Sequence, residues 1–130
     1  MAAKIRHIAF RVEDIPAMAE FFKSGFGMTV AQERPGGIID LTDGTMNITL
    51  LPATLPGGSH HGIDHLGFTF DNDEEGKRQI AAAGGKEMNT IGMSNVHFEV
   101  KFQGPEGVVV DLGHWAGTAP VAAEAIAGQA

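Results

Sequence analysis

The sequence predicts an α+β fold: two β-α-β-β-β units that form a cupped, partly closed mixed sheet with helices outside. Three observations carry this reading. Residues 7–14, His7-Ile8-Ala9-Phe10-Arg11-Val12-Glu13-Asp14, are echoed 58 residues later as His65-Leu66-Gly67-Phe68-Thr69-Phe70-Asp71-Asn72. Each copy opens on a histidine, alternates with a period of two, and closes on an acidic or amide residue suited to capping a helix. Each is followed by one helical pattern and then three strand-like runs, so the chain reads as two copies of one structural unit.

Taken in order, residues 5–12 are a strand with Ile8, Phe10 and Val12 on one face and His7, Ala9 and Arg11 on the other. Asp14 caps a helix over residues 16–24, where Met18 and Phe22 lie one turn apart and Gly25 ends it. A strand over 28–32 leads to the turn Pro35-Gly36-Gly37. Strands at 38–42 and 45–51 then flank Asp43-Gly44, a hairpin signal. In the latter strand Met46, Ile48 and Leu50 form the apolar face, and Asn47 and Thr49 the other.

The second unit repeats the plan. A strand over 63–70 precedes a helix over 71–83, whose acidic first turn suits the helix dipole and which Gly84-Gly85 ends. A weak strand over 86–91 follows, then strands at 96–102 and 108–112 around Gly104-Pro105-Glu106-Gly107. The chain is thus one domain, with unit one at 5–52, a linker rich in Pro, Gly, Ser and His at 53–62, unit two at 63–115 and an Ala/Gly-rich tail at 116–130. Residues 120–127 read as a short helix or a frayed end.

The length of 130 residues suits a single core, and the formal net charge of −7 argues against a nucleic-acid partner, which needs a basic surface. The absence of cysteine excludes disulfides, thiolate catalysis and cysteine-held metals. No apolar run is long enough to span a membrane, and the first residues lack the apolar run of a signal peptide. The expectation is a cytoplasmic protein acting on a small molecule, with neither nucleic acid nor membrane as partner.

Strand phase decides which side chains line the sheet surface away from the helices. Ile8, Phe10, Val12, Leu66, Phe68 and Phe70 pack on the helices. His7, His65, Arg11 and Thr69 face the other way, and in the last strand Asp111 shares their side. Two imidazoles and one carboxylate on one surface are the ligand set of an open divalent-metal site for Fe(II), Mn, Ni or Zn. A lone strand histidine is more often a surface or satisfied core residue. The weight here comes from the same residue at the same phase of two equivalent strands. The strand over 96–102 adds His97, Glu99 and Lys101 in one phase, as candidate acid or base if that phase faces the site. A two-residue turn at Pro105-Glu106 would pair Val100 with Asp111; one further looped-out residue would bring Lys101 beside Asp111 instead.

The chain resembles the vicinal oxygen chelate superfamily, which includes glyoxalase I, methylmalonyl-CoA epimerase, extradiol dioxygenases and the bleomycin and fosfomycin resistance proteins. The resemblance runs from residue 5 to about 115. Its carriers are residues 7–14, Phe21-Phe22-Lys23-Ser24-Gly25-Phe26-Gly27-Met28, Leu41-Thr42-Asp43-Gly44, His65-Leu66-Gly67-Phe68 and the run from Gly104 to Gly113. It implies that His7, His65 and Asp111 match the first, third and fourth metal-ligand positions. The second falls in the strand over 45–51, where Asn47 and Thr49 are poor ligands and are read, with Arg11 and Thr69, as pocket residues. Three ligands rather than four disfavour the glyoxalase and epimerase pattern and tilt the expectation towards a dioxygenase-like reaction. The alternatives are a lyase or isomerase, or a non-catalytic resistance-type binder. The resemblance favours the register that places Lys101 beside Asp111, where ring-cleaving members carry a tyrosine. It also implies a homodimer, with a site within one chain or shared between two.

Overall fold

The computed structural model describes residues 2–55, 61–88, 99–113, 115–116 and 119–120. The first unit comprises β1 (Lys4–Val12), α1 (Ile15–Phe26), β2 (Thr29–Arg34), β3 (Ile38–Thr42) and β4 (Asn47–Pro52). The second comprises β5 (Gly62–Thr69), α2 (Asp73–Ala82), β6 (Lys86–Met88), β7 (Glu99–Gln103) and β8 (Val109–Gly113). A small pair, β9 (Trp115–Ala116) and β10 (Ala119–Pro120), follows. The region over 120–127, read as a short helix or frayed end, lies almost wholly outside the described residues.

Local chemistry accounts for the helix ends. The Asp14 carboxylate accepts from the backbone N–H of Ala17 at 2.9 Å, and Asn72 does the same for Glu75 at 2.9 Å. Helix α1 runs through Gly25, the residue expected to end it, and stops at Gly27, whose φ of 69° is left-handed and returns an N–H to the Lys23 carbonyl.

The repeat is present, but the cupped, partly closed sheet expected from it is not. Among the described residues, eight strands form one open sheet in the order β2-β3-β4-β1-β5-β8-β7-β6. The two units meet through their opening strands, β1 and β5, which pair antiparallel at the centre. Joined in this way, the units extend one sheet sideways, and among the described residues β2 and β6 end it as separate edges that do not meet. Within each unit the opening strand pairs parallel with the closing one, β1 with β4 and β5 with β8.

The helices cover one face. Val12, Ile15, Ala19, Leu41 and Leu50 form the buried core beneath α1, with Phe10, Met18 and Phe22 packed against it. On α2, a Cβ added at Gly76 would lie 2.4 Å from the Phe70 ring, so the helix approaches β5 through a residue without a side chain. The opposite face carries a smaller apolar cluster, Ala9, Ile38 and Leu51, covered by Leu55 from the chain just beyond β4. The buried polar residues of the sheet lie on this second face.

Candidate metal centre

Three neighbouring strands build the centre. His7 on β1 and Asp111 on β8 both stand across from Gly67, which lies between them on β5. His65 lies two residues before Gly67 and so shares its face. All three side chains are buried. The His7 imidazole lies over Gly67: a Cβ there would be 2.2 Å from its Cε1. The missing side chain is what lets His7 reach across β5.

The donor atoms converge. His7 Nε2 is 3.2 Å from His65 Nε2 and 3.6 Å from Asp111 Oδ2, and His65 Nε2 is 3.0 Å from the same oxygen. Ligands about 2.0–2.2 Å from one ion stand about 2.9–3.5 Å apart at tetrahedral or octahedral angles, so this triangle has the size of a divalent-metal site. Among the described residues, no donor is in hydrogen-bonding line with either carboxylate oxygen of Asp111, although the residue is 1% exposed. Its nearest partners are His65 Nε2 at 3.0 Å and His7 Nε2 and Lys101 Nζ at 3.6 Å, so the carboxylate is met by charge and not by aligned hydrogen bonds, a setting that suits a cation.

Lys101 adds a positive charge at the rim. It stands across from Asp111, with Nζ 3.6 Å from Asp111 Oδ2 and 3.5 Å from His65 Nε2. This is the looped-out register. The turn over Pro105–Gly107 absorbs the extra residue by giving Glu106 a φ of 57° and Gly107 a φ of 81°. Of the other candidates on this strand, Glu99 is the first residue of β7, paired through its backbone with Gly113, and His97 lies outside the described residues.

The expected pocket residues divide. Asn47 is buried beside His7 on β4, and Thr49 is buried one step further along. The Thr49 hydroxyl donates to Asp40 Oδ1 at 2.5 Å, and Asp40 also receives Arg34 Nη2 at 2.9 Å. Thr69 is half-buried at the end of β5, across from Lys4. Arg11 makes the ion pair that was the alternative to a substrate contact: its Nε donates to Asp64 Oδ1 at 2.6 Å, and its Nη1 donates to the carbonyls of Ala53 and Leu55.

Asp64 was not among the expected site residues. Adjacent residues on a regular strand face opposite ways, yet Asp64 Oδ2 lies 2.7 Å from Nδ1 of His65. A bulge explains this. Ala9 pairs with His65 and Phe10 with Ile63, which leaves Asp64 as an extra residue that turns back beside its neighbour. Burial alone would raise the Asp64 carboxyl, but hydrogen bonds from His65 and Arg11, and their charges, hold it well below the usual carboxylate range. Burial opposes charge on His65, yet Asp111 and Asp64 outweigh it and raise His65 above the ordinary histidine value; Lys101 works in the opposite direction.

An open sheet of two β-α-β-β-β repeats, with two histidines and a carboxylate gathered where the repeats join, defines a class of fold that here carries a donor set able to hold a divalent metal. The sequence matches the model of the glyoxalase/bleomycin resistance protein/dioxygenase superfamily over residues 4–112, and the chain belongs to that superfamily. The hypothetical protein BH1468 from Bacillus halodurans C-125 superimposes with a TM-score of 0.70 at 18% identity, over 89% of this chain and 99% of its own. The methylmalonyl-CoA epimerase of Mycobacterium tuberculosis gives 0.66 at 16% identity, over 95% and 91%. A glyoxalase/bleomycin resistance protein/dioxygenase superfamily member from Vibrio splendidus 12B01 gives 0.55 at 17% identity, over 85% and 97%. These likenesses show the shared fold. A comparison with curated proteins finds no match.

Proposed function

We propose that this protein is a divalent-metal enzyme in which His7, His65 and Asp111 hold Fe(II), Mn, Ni or Zn. The observation that carries this is the buried donor triangle, with a carboxylate that no described donor meets in hydrogen-bonding line. The metal would supply Lewis-acid polarisation of bound oxygens. Three protein ligands leave positions for two adjacent oxygens of a small substrate, such as an aromatic diol. Lys101, on the accessible side of the site, meets the anionic oxygen or moves a proton to or from it. Asn47, Thr49 and Thr69 complete the lining. Of the reactions within the superfamily, the three-donor set favours a dioxygen-dependent one over a glyoxalase-like or epimerase-like one.

The test is metal analysis of protein purified without chelator, beside His7→Ala and His65→Ala. Stoichiometric metal in the wild type and loss in both variants is the expected result. A wild type that takes up none of Fe(II), Mn(II), Ni(II) or Zn(II) refutes the reading. Turnover that survives under nitrogen would move the reaction to the lyase or isomerase class.

A second reading, sequestration of an apolar compound, draws on a cavity of about 580 Å³ lined by Phe10, Val12, Met18 and Phe21 on the helix side, away from the triad. It predicts ligand-induced thermal shifts that persist in EDTA and in both histidine variants. Exposed Phe21, Phe26 and Ile63 support pairing with a second copy, which sedimentation would detect.

A further inference from the structure

The second histidine is held by a chain of contacts that the first does not share. From His65 Nδ1, bonds run to Asp64, from Asp64 to Arg11, and from Arg11 to the Ala53 and Leu55 carbonyls. Arg11 is 2% exposed, and Leu55 packs on Ala9, Ile38 and Leu51, so the far end of this chain is anchored in the sheet. In the repeat, the position equivalent to Asp64 is Arg6, directly before His7. Both opening strands bulge at this place, since Ile5 pairs with Phe68 and His7 with Gly67 and so leave Arg6 as the extra residue on β1, but only the second copy has an acid there.

We propose that Asp64 and Arg11 act as positioning residues for His65: they fix its Nδ1–H tautomer and ring plane, so that Nε2 faces His7 and Asp111. The inference rests on the reading that these three residues hold a metal. The chemistry is direct. A carboxylate can only accept, so Asp64 at 2.7 Å draws the proton to Nδ1; Asp111 Oδ2, 3.0 Å from Nε2, is out of hydrogen-bonding line, and Nε2 is left as the ligand atom. Arg11 occupies the other carboxylate oxygen, which stops Asp64 from rotating away. Arg11 also ties the arrangement to the chain beyond β4, so the set of the His65 ring depends on both units.

The relay can be read without metal. Long-range ¹H–¹⁵N spectra of the whole metal-free protein, recorded at about pH 9.5 where imidazole is neutral, report each histidine's tautomer, and His65→Gln assigns the signal. The wild type is expected to show His65 as Nδ1–H alone. Asp64→Ala should mix the tautomers and weaken Zn(II) and Mn(II) binding about 10–100-fold. Asp64→Asn keeps an oxygen for Nδ1–H but loses the ion pair, so it should restore the tautomer and recover part of the affinity. Arg11→Met should fall between Asp64→Asn and Asp64→Ala.

A His65 that stays Nδ1–H in Asp64→Ala, with metal affinity within about threefold of wild type, overturns the proposal. If Asp64→Ala fails to fold, unchanged metal affinity in both Asp64→Asn and Arg11→Met overturns it instead. If the wild type binds no metal, the metalloenzyme reading falls, while the tautomer of the apo protein still decides whether Asp64 positions His65.

Discussion

Gly67→Ala is the sharpest single perturbation of this site. The backbone there has an ordinary φ, so alanine meets no conformational barrier and by propensity alone would favour the strand. The whole cost is steric. The new Cβ would lie 2.2, 2.4 and 2.7 Å from Cε1, Nδ1 and Nε2 of His7, against 3.4 Å for ordinary contact. The ring must therefore move by about 1.2 Å, several times the roughly 0.2 Å that a metal–ligand bond tolerates. His7 is 4% exposed, and His65 stands edge-on with ring centroids 5.2 Å apart, so the displacement has little free space to enter. Overpacking of this kind costs about 1–3 kcal/mol, or about 3–15 °C in melting temperature for a chain of this size. Divalent-metal affinity should fall close to that of His7→Ala. Thermal melts and metal titration of Gly67→Ala, His7→Ala and the double variant form a cycle. Removing the ring removes the clash, so the double variant should be no less stable than His7→Ala. Unchanged stability and metal affinity in Gly67→Ala would refute both the placement of His7 over Gly67 and its role as a ligand.

Three further outcomes are expected. Arg34→Met leaves the fully buried Asp40 without its cation and should cost about 3–5 kcal/mol, measured by urea denaturation, with Asp40→Asn in the same chain recovering part of the loss. Lys101→Met removes a positive charge within 3.6 Å of Asp111, so metal should bind about tenfold or more tightly, while an anionic chelator such as oxalate should bind the loaded site more weakly; Lys101→Arg should behave as wild type in both titrations. Asp64 is held below its unfolded value, so its stabilisation is complete at neutral pH and is lost as pH falls below about 4. Asp64→Asn should therefore be less stable than wild type at pH 7 and lose less on acidification, and parallel acid denaturation curves would contradict this.

Much of the site was legible because strand phase is a strong constraint. Side chains alternate strictly, so the apolar positions of β1, β5 and β8 left His7, His65 and Asp111 on one face without any knowledge of the partners. The β7–β8 register was ambiguous by one residue, because backbone geometry at Glu106 and Gly107 decides it and the turn sequence admits both solutions. Asp64 was missed for a related reason: strict alternation puts it opposite His65, and the bulge reverses that. One signal was present, since Ile63 shares the phase of His65 yet is apolar, so the alternation already breaks between them; Ile63 proves 60% exposed. Closure of the sheet was not legible. The same alternation serves open and curved sheets, and the outcome depends on how β1 meets β5. The Arg34–Asp40 pair bridges a turn across two strands and leaves no periodic trace.

The asymmetry between the two repeats places the cation requirement. Ala9 and Gly67 are equivalent positions; Ala9 pairs with Thr49 on β4, and Gly67 pairs with Asp111 on β8. Thr49 is thus the counterpart of Asp111, and its hydroxyl is committed to Asp40, which Arg34 neutralises. Asp64 is neutralised by Arg11. Of the three acids in these buried networks, two face an arginine within 3.0 Å. Asp111 faces two histidines and the ammonium of Lys101 at 3.6 Å. A guanidinium satisfies a carboxylate permanently, because it does not lose its proton in proteins. Imidazoles give up theirs, and together with the carboxylate they then become ligands for a divalent ion. The first unit resolves its buried charge internally; the second leaves its own to be resolved by an exchangeable cation, and that difference supports a metal at Asp111 and none at Asp40.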